Sequence, residues 1–226
     1  MKDKIARALV YALGLILLAL GLVLNTKTGL GSAPLVSIAH CVSQLTGVAF
    51  ANTAFVEYGA FVLIEIALHL IRRERKRLVN DALQLPFALV FTRFMGLFDR
   101  AVAPLPADAS LVPRLGLLTV AILLIGVGAC LSIRMRLIPN PGDGVVLAIS
   151  DAAGWKLGVT KNAFDLANVA VACVIGLVAR GRLLGVGIGT AACMLGVGRV
   201  IDLTGRLLAP MIERLAPKPK AHAPEG

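Results

Sequence analysis

The residues that could do chemistry in this sequence are the few polar side chains that interrupt long apolar runs. Glu57 and Glu65 lie in one such run and are eight residues apart, which puts them on roughly one face of a helix. A carboxylate is costly to keep in hydrocarbon, so its presence there indicates proton coupling or cation coordination inside a helix bundle. The alternatives are a Glu65 that pairs with a buried partner such as Arg93, or one that reaches the membrane interface.

A second polar cluster begins another apolar run. Asp165 and Asn168 are about one helical turn apart there, next to Lys161 and Asn162. The pattern favours either a polar site near the start of a helix or a helix-entry cluster in which Lys161 and Asp165 form an ion pair. Both interpretations stay open on the sequence.

Two breaker segments, rich in proline and glycine, carry the main prediction of a site. Residues 28–34 and 139–144 each precede a short apolar piece, 34–46 or 141–153, and a glycine follows each piece, Gly47 or Gly154. Irregular backbone survives at membrane depth only where protein or a water-filled cavity satisfies its polar groups. A helix N-terminus that points into such a cavity suits an anion or a carboxylate.

We therefore predict a solute or ion site that both breaker segments line. Its predicted residues are Ser32, Pro34, Ser37 and His40 in the first half of the chain and Asn140, Pro141, Asp143 and Ser150 in the second. The alternative is that these turns only cap short interfacial helices.

The elements that must position these residues are helices in a membrane. Only 16% of the residues are charged, against roughly a quarter in a soluble domain, and the mean hydropathy is +0.84. We predict an all-α membrane protein with about six transmembrane helices and two short re-entrant or interfacial helices. The first span is expected to stay uncleaved, although its basic start resembles a signal peptide. The predicted spans cover about residues 8–24, 52–71, 80–98, 114–133, 162–179 and 184–204.

The sequence also indicates two homologous halves. Pro34 pairs with Pro141 at an offset of 107 residues, from position 34 to position 141. We predict a first membrane repeat at 1–98, a linker loop at 99–113, a second membrane repeat at 114–210 and a disordered tail at 211–226. The same offset pairs Gly21 with Gly128, Ser43 with Ser150, Gly47 with Gly154 and Thr53 with Thr160.

The basic residues predict a topology. Lys2, Lys4 and Arg7 place the N-terminus in the cytoplasm, and the basic cluster at 72–77 belongs on the same side. These two basic regions can share the cytoplasmic side only if the short piece 34–46 does not cross the membrane. The second half of the chain is then inverted relative to the first. The alternative is eight crossings with parallel halves. The predicted location is a bacterial inner (cytoplasmic) membrane.

Several function classes are not expected. The net charge of +10 comes from basic residues at helix ends, and a nucleic-acid partner needs them on one soluble face. The four cysteines are scattered, and His40 and His69 have no second ligand at metal spacing, so we predict no metal and no cofactor. No catalytic constellation can be assembled, and an enzyme is not expected. The glycine run at 185–190 lacks nucleotide-loop spacing and predicts tight helix packing.

Short motifs resemble those of the YczE/YyaS/YitT family of bacterial membrane proteins. They lie at 29–34 (GLGSAP), 83–86 (LQLP), 139–144 (PNPGDG) and 185–190 (GVGIGT). The similarity covers about residues 8–210. In that family an acidic residue is associated with the proline of both halves, and this chain keeps Asp143 but has Val36 at the matching position. The resemblance implies an integral membrane protein whose molecular activity is not established.

The function that we expect from the sequence is a small secondary transporter or permease for a small solute or ion, with coupling carried by Glu65 or Asp143. The alternative is a non-transporting accessory or regulatory membrane protein, which predicts a small-residue face exposed to lipid along residues 185–198. The expected partners are the lipid bilayer, a small solute or ion, and either a second copy of the chain or another membrane protein.

Overall fold

The computed structural model describes residues 2–104, 106 and 109–215. Over these residues the chain forms nine α-helices and one short 3-10 turn, with no strand. Six of the helices, α1, α3, α4, α5, α7 and α8, are long and apolar enough to cross a membrane. The prediction of an all-α protein with six spans is confirmed. The helices are α1 (Lys2–Lys27), α2 (Ser37–Thr46), α3 (Phe50–Ile71), α4 (Leu78–Ala101), α5 (Leu111–Met135), α6 (Pro141–Ala153), α7 (Leu157–Arg180), α8 (Ile188–Leu207) and α9 (Ala209–Leu215).

Apolar side chains cover the outside of the helix bundle, and many polar side chains are buried inside it. Val56 and Val178 are 70% and 82% exposed, whereas Asn25 and Gln84 are fully buried. A water-soluble protein rarely exposes such an extended apolar surface, but lipid is the solvent that it suits. The chain is therefore a multi-pass membrane protein.

The two short helices form where the breaker segments predict them. A 3-10 turn at Pro34–Val36 leads into α2, and α6 begins at Pro141, the first helical position where proline is tolerated. Gly47 and Gly154 end α2 and α6 in the left-handed conformation, with φ of 72° and 68°. A glycine adopts this conformation without the steric cost that a side chain would add.

Helices α1 and α5 form the central antiparallel pair, and glycine permits their close approach. Gly14 lies against the backbone of Gly128, and Gly21 lies against the backbone of Ile125 and Ala121. A Cβ atom added at Gly128 would overlap the backbone nitrogen of Leu18. Small residues that let two backbones meet are a main source of helix association in lipid, where the hydrophobic effect is absent.

The short helices pack across the halves of the chain. Helix α2 packs on α7 as well as on its neighbour α3, and α6 packs on α3 as well as on α7. Helices α4 and α8 flank the central pair, α4 on α1 and α8 on α5. Each half therefore supplies a short helix that is held by a long helix of the other half.

Contacts at the two ends of the bundle show how the chain runs. Arg7 near the start of α1 donates to the carbonyl of Met135 at the end of α5, with an N–O distance of 2.7 Å. At the opposite end, Lys27 pairs with Asp99 near the end of α4 at 2.7 Å. Helices α1 and α4 therefore run in parallel, and α5 runs against both.

Each short helix begins in the middle of the bundle and returns to the end from which its breaker segment came. Pro34 and Asn140 line a cavity together with Leu18, in the middle of α1. Asp151, in the last turn of α6, pairs with Arg77 at the start of α4. This course makes α6 a re-entrant helix, and α2 returns to the other end of the bundle, where α3 begins.

Two boundaries differ from the predicted division of the chain. Residues 211–215, predicted to belong to a disordered tail, lie in α9, where Ile212 is buried against Cys130 and Met135. The stretch 99–113, predicted as a linker loop, is helical at both ends, because α4 continues to Ala101 and α5 begins at Leu111. The predicted tail from residue 216 onward lies outside the described residues.

We expect Gly128→Ala to destabilise the protein, because its Cβ would overlap the backbone of α1. Overpacking of this kind costs about 1–3 kcal/mol. The matched control is Gly116→Ala in the same helix, where an added Cβ meets nothing within 4 Å. Thermal unfolding in detergent checks the pair. Equal midpoints for the two variants would contradict the close α1–α5 contact.

Candidate functional site

A buried polar cluster lies where α3, α4 and α6 meet, and we name the space that it lines the carboxylate cavity. The cavity has a volume of about 270 Å³. Glu65 and His69 reach it from α3, and Asp81 and Gln84 reach it from α4. Gln84 Nε2 donates to Glu65 Oε2 at 2.8 Å, and His69 Nδ1 lies 2.7 Å from Asp81 Oδ2. Two carboxyl groups, an imidazole and an amide thus line one cavity.

Helix α6 closes this cluster with a glycine. A Cβ atom added at Gly144 would lie 2.5 Å from Glu65 Oε2 and 2.9 Å from both polar atoms of Gln84. The side chains of α3 and α4 therefore fill the space that a side chain at position 144 would need. This contact is the packing reason for glycine in the first turn of α6.

An ionic network lies at the mouth of the carboxylate cavity. Arg77 lines the cavity and pairs with Glu74 at 3.0 Å and with Asp151 at 2.8 Å. Arg72 donates to Glu74 at 2.9 Å, and this hydrogen bond lowers the pKa of the Glu74 carboxyl. The network ties the link between α3 and α4 to the last turn of α6.

A larger cavity lies between the breaker segments, and we name it the breaker cavity. Its volume is about 600 Å³, and most of its lining residues are apolar. The polar groups that line it include Asn140, Asp143 and the ion pair of Lys161 with Asp165, whose N–O distance is 2.6 Å. The sequence left this ion pair open as one of two interpretations, and the structure contains it.

The two breaker segments touch each other at this cavity. A Cβ atom added at Gly142 would overlap the side chain of Leu35. Pro34 and Asn140 line the same cavity, so the N-terminal ends of both short helices converge there. The Asn140 side chain caps α6 by accepting from the N–H of Gly142 at 3.0 Å.

The two cavities are separated by a thin wall. Both cavities are lined by residues 137–139, which precede α6, and by Leu147 on α6. A shift of α6 would therefore change both cavities together.

Glu57 has a structural role that the sequence did not predict. Its Oε2 accepts from the backbone N–H of Ala39 at 3.1 Å, in the first turn of α2. A carboxylate near a helix N-terminus is favourable because it meets unpaired N–H groups and the positive end of the helix dipole. The N-terminus of α2, predicted as an anion site for a ligand, is thus bound by the chain itself.

The fold places several predicted site residues outside both cavities. Ser32 donates to the carbonyl of Gly185 at 2.9 Å, Ser37 to that of Pro34 at 2.8 Å, and Ser150 to that of Trp155 at 2.8 Å. These hydroxyls satisfy the backbone of turns and helix ends. Pro141 is buried as the first residue of α6.

Two further predicted residues, the half-buried His40 and the buried Asn168, line neither cavity. His40 lies beside Gln44, with an N–N distance of 3.0 Å, and packs against Phe50. Asn168 is buried on α7, where its Nδ2 has no hydrogen-bond partner among the described residues. Of the predicted residues, Pro34, Asn140, Asp143 and Asp165 line the breaker cavity, and Glu65 lines the carboxylate cavity.

The sequence pattern does not predict most of the carboxylate cavity. It predicts an isolated His69, but the fold places His69 against Asp81. The available signal was a pair of spacings: Glu65 and His69 are four residues apart on α3, and Asp81 and Gln84 are three apart on α4. Such spacings put each pair on one face of its helix, and a tight α3–α4 connection makes the two faces meet.

The arrangement of six apolar spans around two cavities that polar side chains partly line is that of a small multi-pass helical membrane protein. More specifically, the chain belongs to a family of unknown function, DUF6198, which it matches over residues 5–206. No curated protein and no solved structure matches the chain. These comparisons do not name the YczE/YyaS/YitT family, and that resemblance stays a prediction.

We expect Gln84→Leu to destabilise the protein by about 1–3 kcal/mol, because it leaves the buried Glu65 carboxyl without its donor. In a Glu65→Leu background the same substitution should cost little, since no carboxyl is left unpaired. Chemical unfolding of the four proteins in detergent measures the coupling. Additive effects would show that the Gln84–Glu65 contact contributes nothing to stability.

Proposed function

We propose that the chain is a secondary transporter or permease for a small solute, which binds in the breaker cavity. The observation that carries this proposal is the meeting of two short helices, by their N-terminal ends, at one large cavity. Irregular backbone and helix ends at membrane depth are the common plan of solute sites in transporters.

The lining of the breaker cavity favours a small, partly apolar solute with one polar end. Most of the wall is aliphatic, and Asp143 lies at the start of α6 beside the ion pair of Lys161 and Asp165. No side chain in the described ranges hydrogen-bonds with the Asp143 carboxyl, so it is free to accept from a solute. A donor or cationic group on the solute complements it.

Two inverted halves would give this site alternating access. The 107-residue offset supports the proposal of an internal duplication. It matches Gly14 with Ala121 and Gly21 with Gly128, so the contact of Gly14 with Gly128 corresponds to the contact of Ala121 with Gly21. The proposal is also supported by the way α2 and α6 pack on α7 and α3. Rocking of such halves around a fixed site moves the opening from one membrane face to the other.

Coupling is proposed to lie with Asp143 or Glu65. Asp143 lines the solute site, and Glu65 lies across the wall that both cavities share. The proposed location is a bacterial inner membrane with a cytoplasmic N-terminus. The basic residues near the N-terminus and at 72–77 favour this orientation, because Lys and Arg are retained on the cytoplasmic side. On this proposal the chain catalyses no reaction.

The accessory-protein alternative predicts a small-residue face open to lipid along residues 185–198. Part of that stretch packs against the rest of the chain, whereas Ala191 and Gly198 are exposed. Gly185 lies against His40, Gly187 and Gly189 lie against Leu30, and Gly196 lies against Ile122. Only Gly198, among these glycines, meets nothing within 4 Å.

Two-sided access to the breaker cavity tests the proposal without knowledge of the solute. Ser132 lines the cavity, so we expect Ser132→Cys, with the native cysteines replaced, to react with a membrane-impermeant thiol reagent from either face. Right-side-out and inside-out vesicles provide the two faces. The matched control retains only Cys41, which is fully buried outside the cavity and should stay unlabelled.

Labelling of Ser132→Cys from one face alone, or from neither, would contradict alternating access. A stable second membrane protein that co-purifies with the chain would then support the accessory role.

A further inference from the structure

Some buried polar atoms that line the carboxylate cavity have no hydrogen-bond partner among the described residues. Glu65, His69, Asp81 and Gln84 are 4%, 3%, 2% and 0% exposed. Gln84 Nε2 donates to Glu65 Oε2, and the Oε1 atom of Gln84 has no hydrogen-bond partner within the described chain. A buried polar atom without a partner costs free energy, which a bound ligand could recover.

The imidazole of His69 has Nδ1 beside Asp81 and Nε2 on its other side. Nδ1 lies 2.7 Å from Asp81 Oδ2, so a cation bound between these two atoms takes the place of the proton that they share. Nε2 is buried and has no partner among residues 2–104, 106 and 109–215. Imidazole nitrogen and carboxylate oxygen are both common ligands of first-row transition metals.

The charges of the cluster also favour a cation. Glu65 and Asp81 bring two carboxyl groups together, and no Lys or Arg of the described chain forms an ion pair with either. Arg77, at the mouth, is already paired with Glu74 and Asp151. Two buried carboxyl groups this close compete for ionisation, and a divalent ion between them would let both be charged.

We propose that Glu65, His69 and Asp81 bind a divalent first-row transition-metal ion in the carboxylate cavity. One donor atom from each residue lies within 4.8 Å of the other two, a spacing that small side-chain movements can close around one ion. An imidazole with two carboxylates suits Mn²⁺, Fe²⁺, Co²⁺ or Zn²⁺ better than Mg²⁺ or Ca²⁺, which prefer oxygen alone. Gln84 Oε1 supplies a further oxygen.

The cavity has room for the ion and for water. Its volume of about 270 Å³ is space that the side chains leave empty, and a water takes about 30 Å³. Arg77 and Asn80 give its mouth a polar entry path. The metal site and the proposed solute site lie in different cavities, so either can fail while the other stands.

Titration of the full-length, metal-stripped protein with Mn²⁺ tests this site. The protein is purified in detergent without a polyhistidine tag, and binding is followed by loss of the free-ion signal in electron paramagnetic resonance. We expect one ion per chain and an affinity about ten-fold or more weaker in Glu65→Gln and in Asp81→Asn. Pulsed measurements should show nitrogen modulation from one imidazole.

Two histidine variants separate a metal ligand from a structural histidine. His69→Gln should abolish the nitrogen modulation, whereas His40→Gln, which changes a histidine of α2 outside the cavity, should leave it unchanged. Size-exclusion profiles confirm that each variant is folded. Absence of saturable binding of Mn²⁺, Co²⁺ and Zn²⁺ by the unaltered protein would overturn the proposal, even if every variant failed to fold. So would nitrogen modulation that survives in His69→Gln.

Discussion

The constraint on which this structure depends is that backbone polar groups away from water must find partners inside the protein. Two stretches of irregular backbone enter the bundle, and each is satisfied locally. The first breaker segment exchanges hydrogen bonds with the link between α7 and α8, through Ser32 with Gly185 and Leu30 with Gly189. Glu57 caps the helix that follows it, and Asn140 caps the helix of the second segment. These partners let helix ends, rather than complete spans, reach the middle of a membrane.

The proposed duplication relates the two halves of the scaffold, but their chemistry differs. The position that corresponds to Glu65 at the 107-residue offset is Ala172, and the position that corresponds to His69 is Gly176. Ala172 lies in a small apolar cluster with Cys41 and Leu184. One half thus keeps an acid and a histidine at positions where the other half packs small residues. On the proposed duplication, such a scaffold can hold a solute between its halves and an ion to one side.

Hydropathy and breaker residues were enough to predict the helices, because lipid requires long apolar runs and because Pro34, Pro141, Gly47 and Gly154 have strong local effects. The breaker cavity was predictable for the same reason. The carboxylate cavity was not, since His69, Asp81 and Gln84 meet only through the packing of three helices. Glu57 shows the converse: a membrane-depth acid suggested a ligand site, yet it completes a helix N-terminus that only the folded chain brings near.

The most direct test of inverted, re-entrant halves compares two positions that the offset relates, Val48 and Trp155, which are 45% and 55% exposed. Each is replaced by cysteine in a background without the native four, and intact cells are treated with a membrane-impermeant thiol reagent. The account predicts that Val48→Cys is labelled from the outside and that Trp155→Cys is labelled only after the cytoplasmic face is opened. Labelling of both from the same face would mean that the short helices span and the halves are parallel.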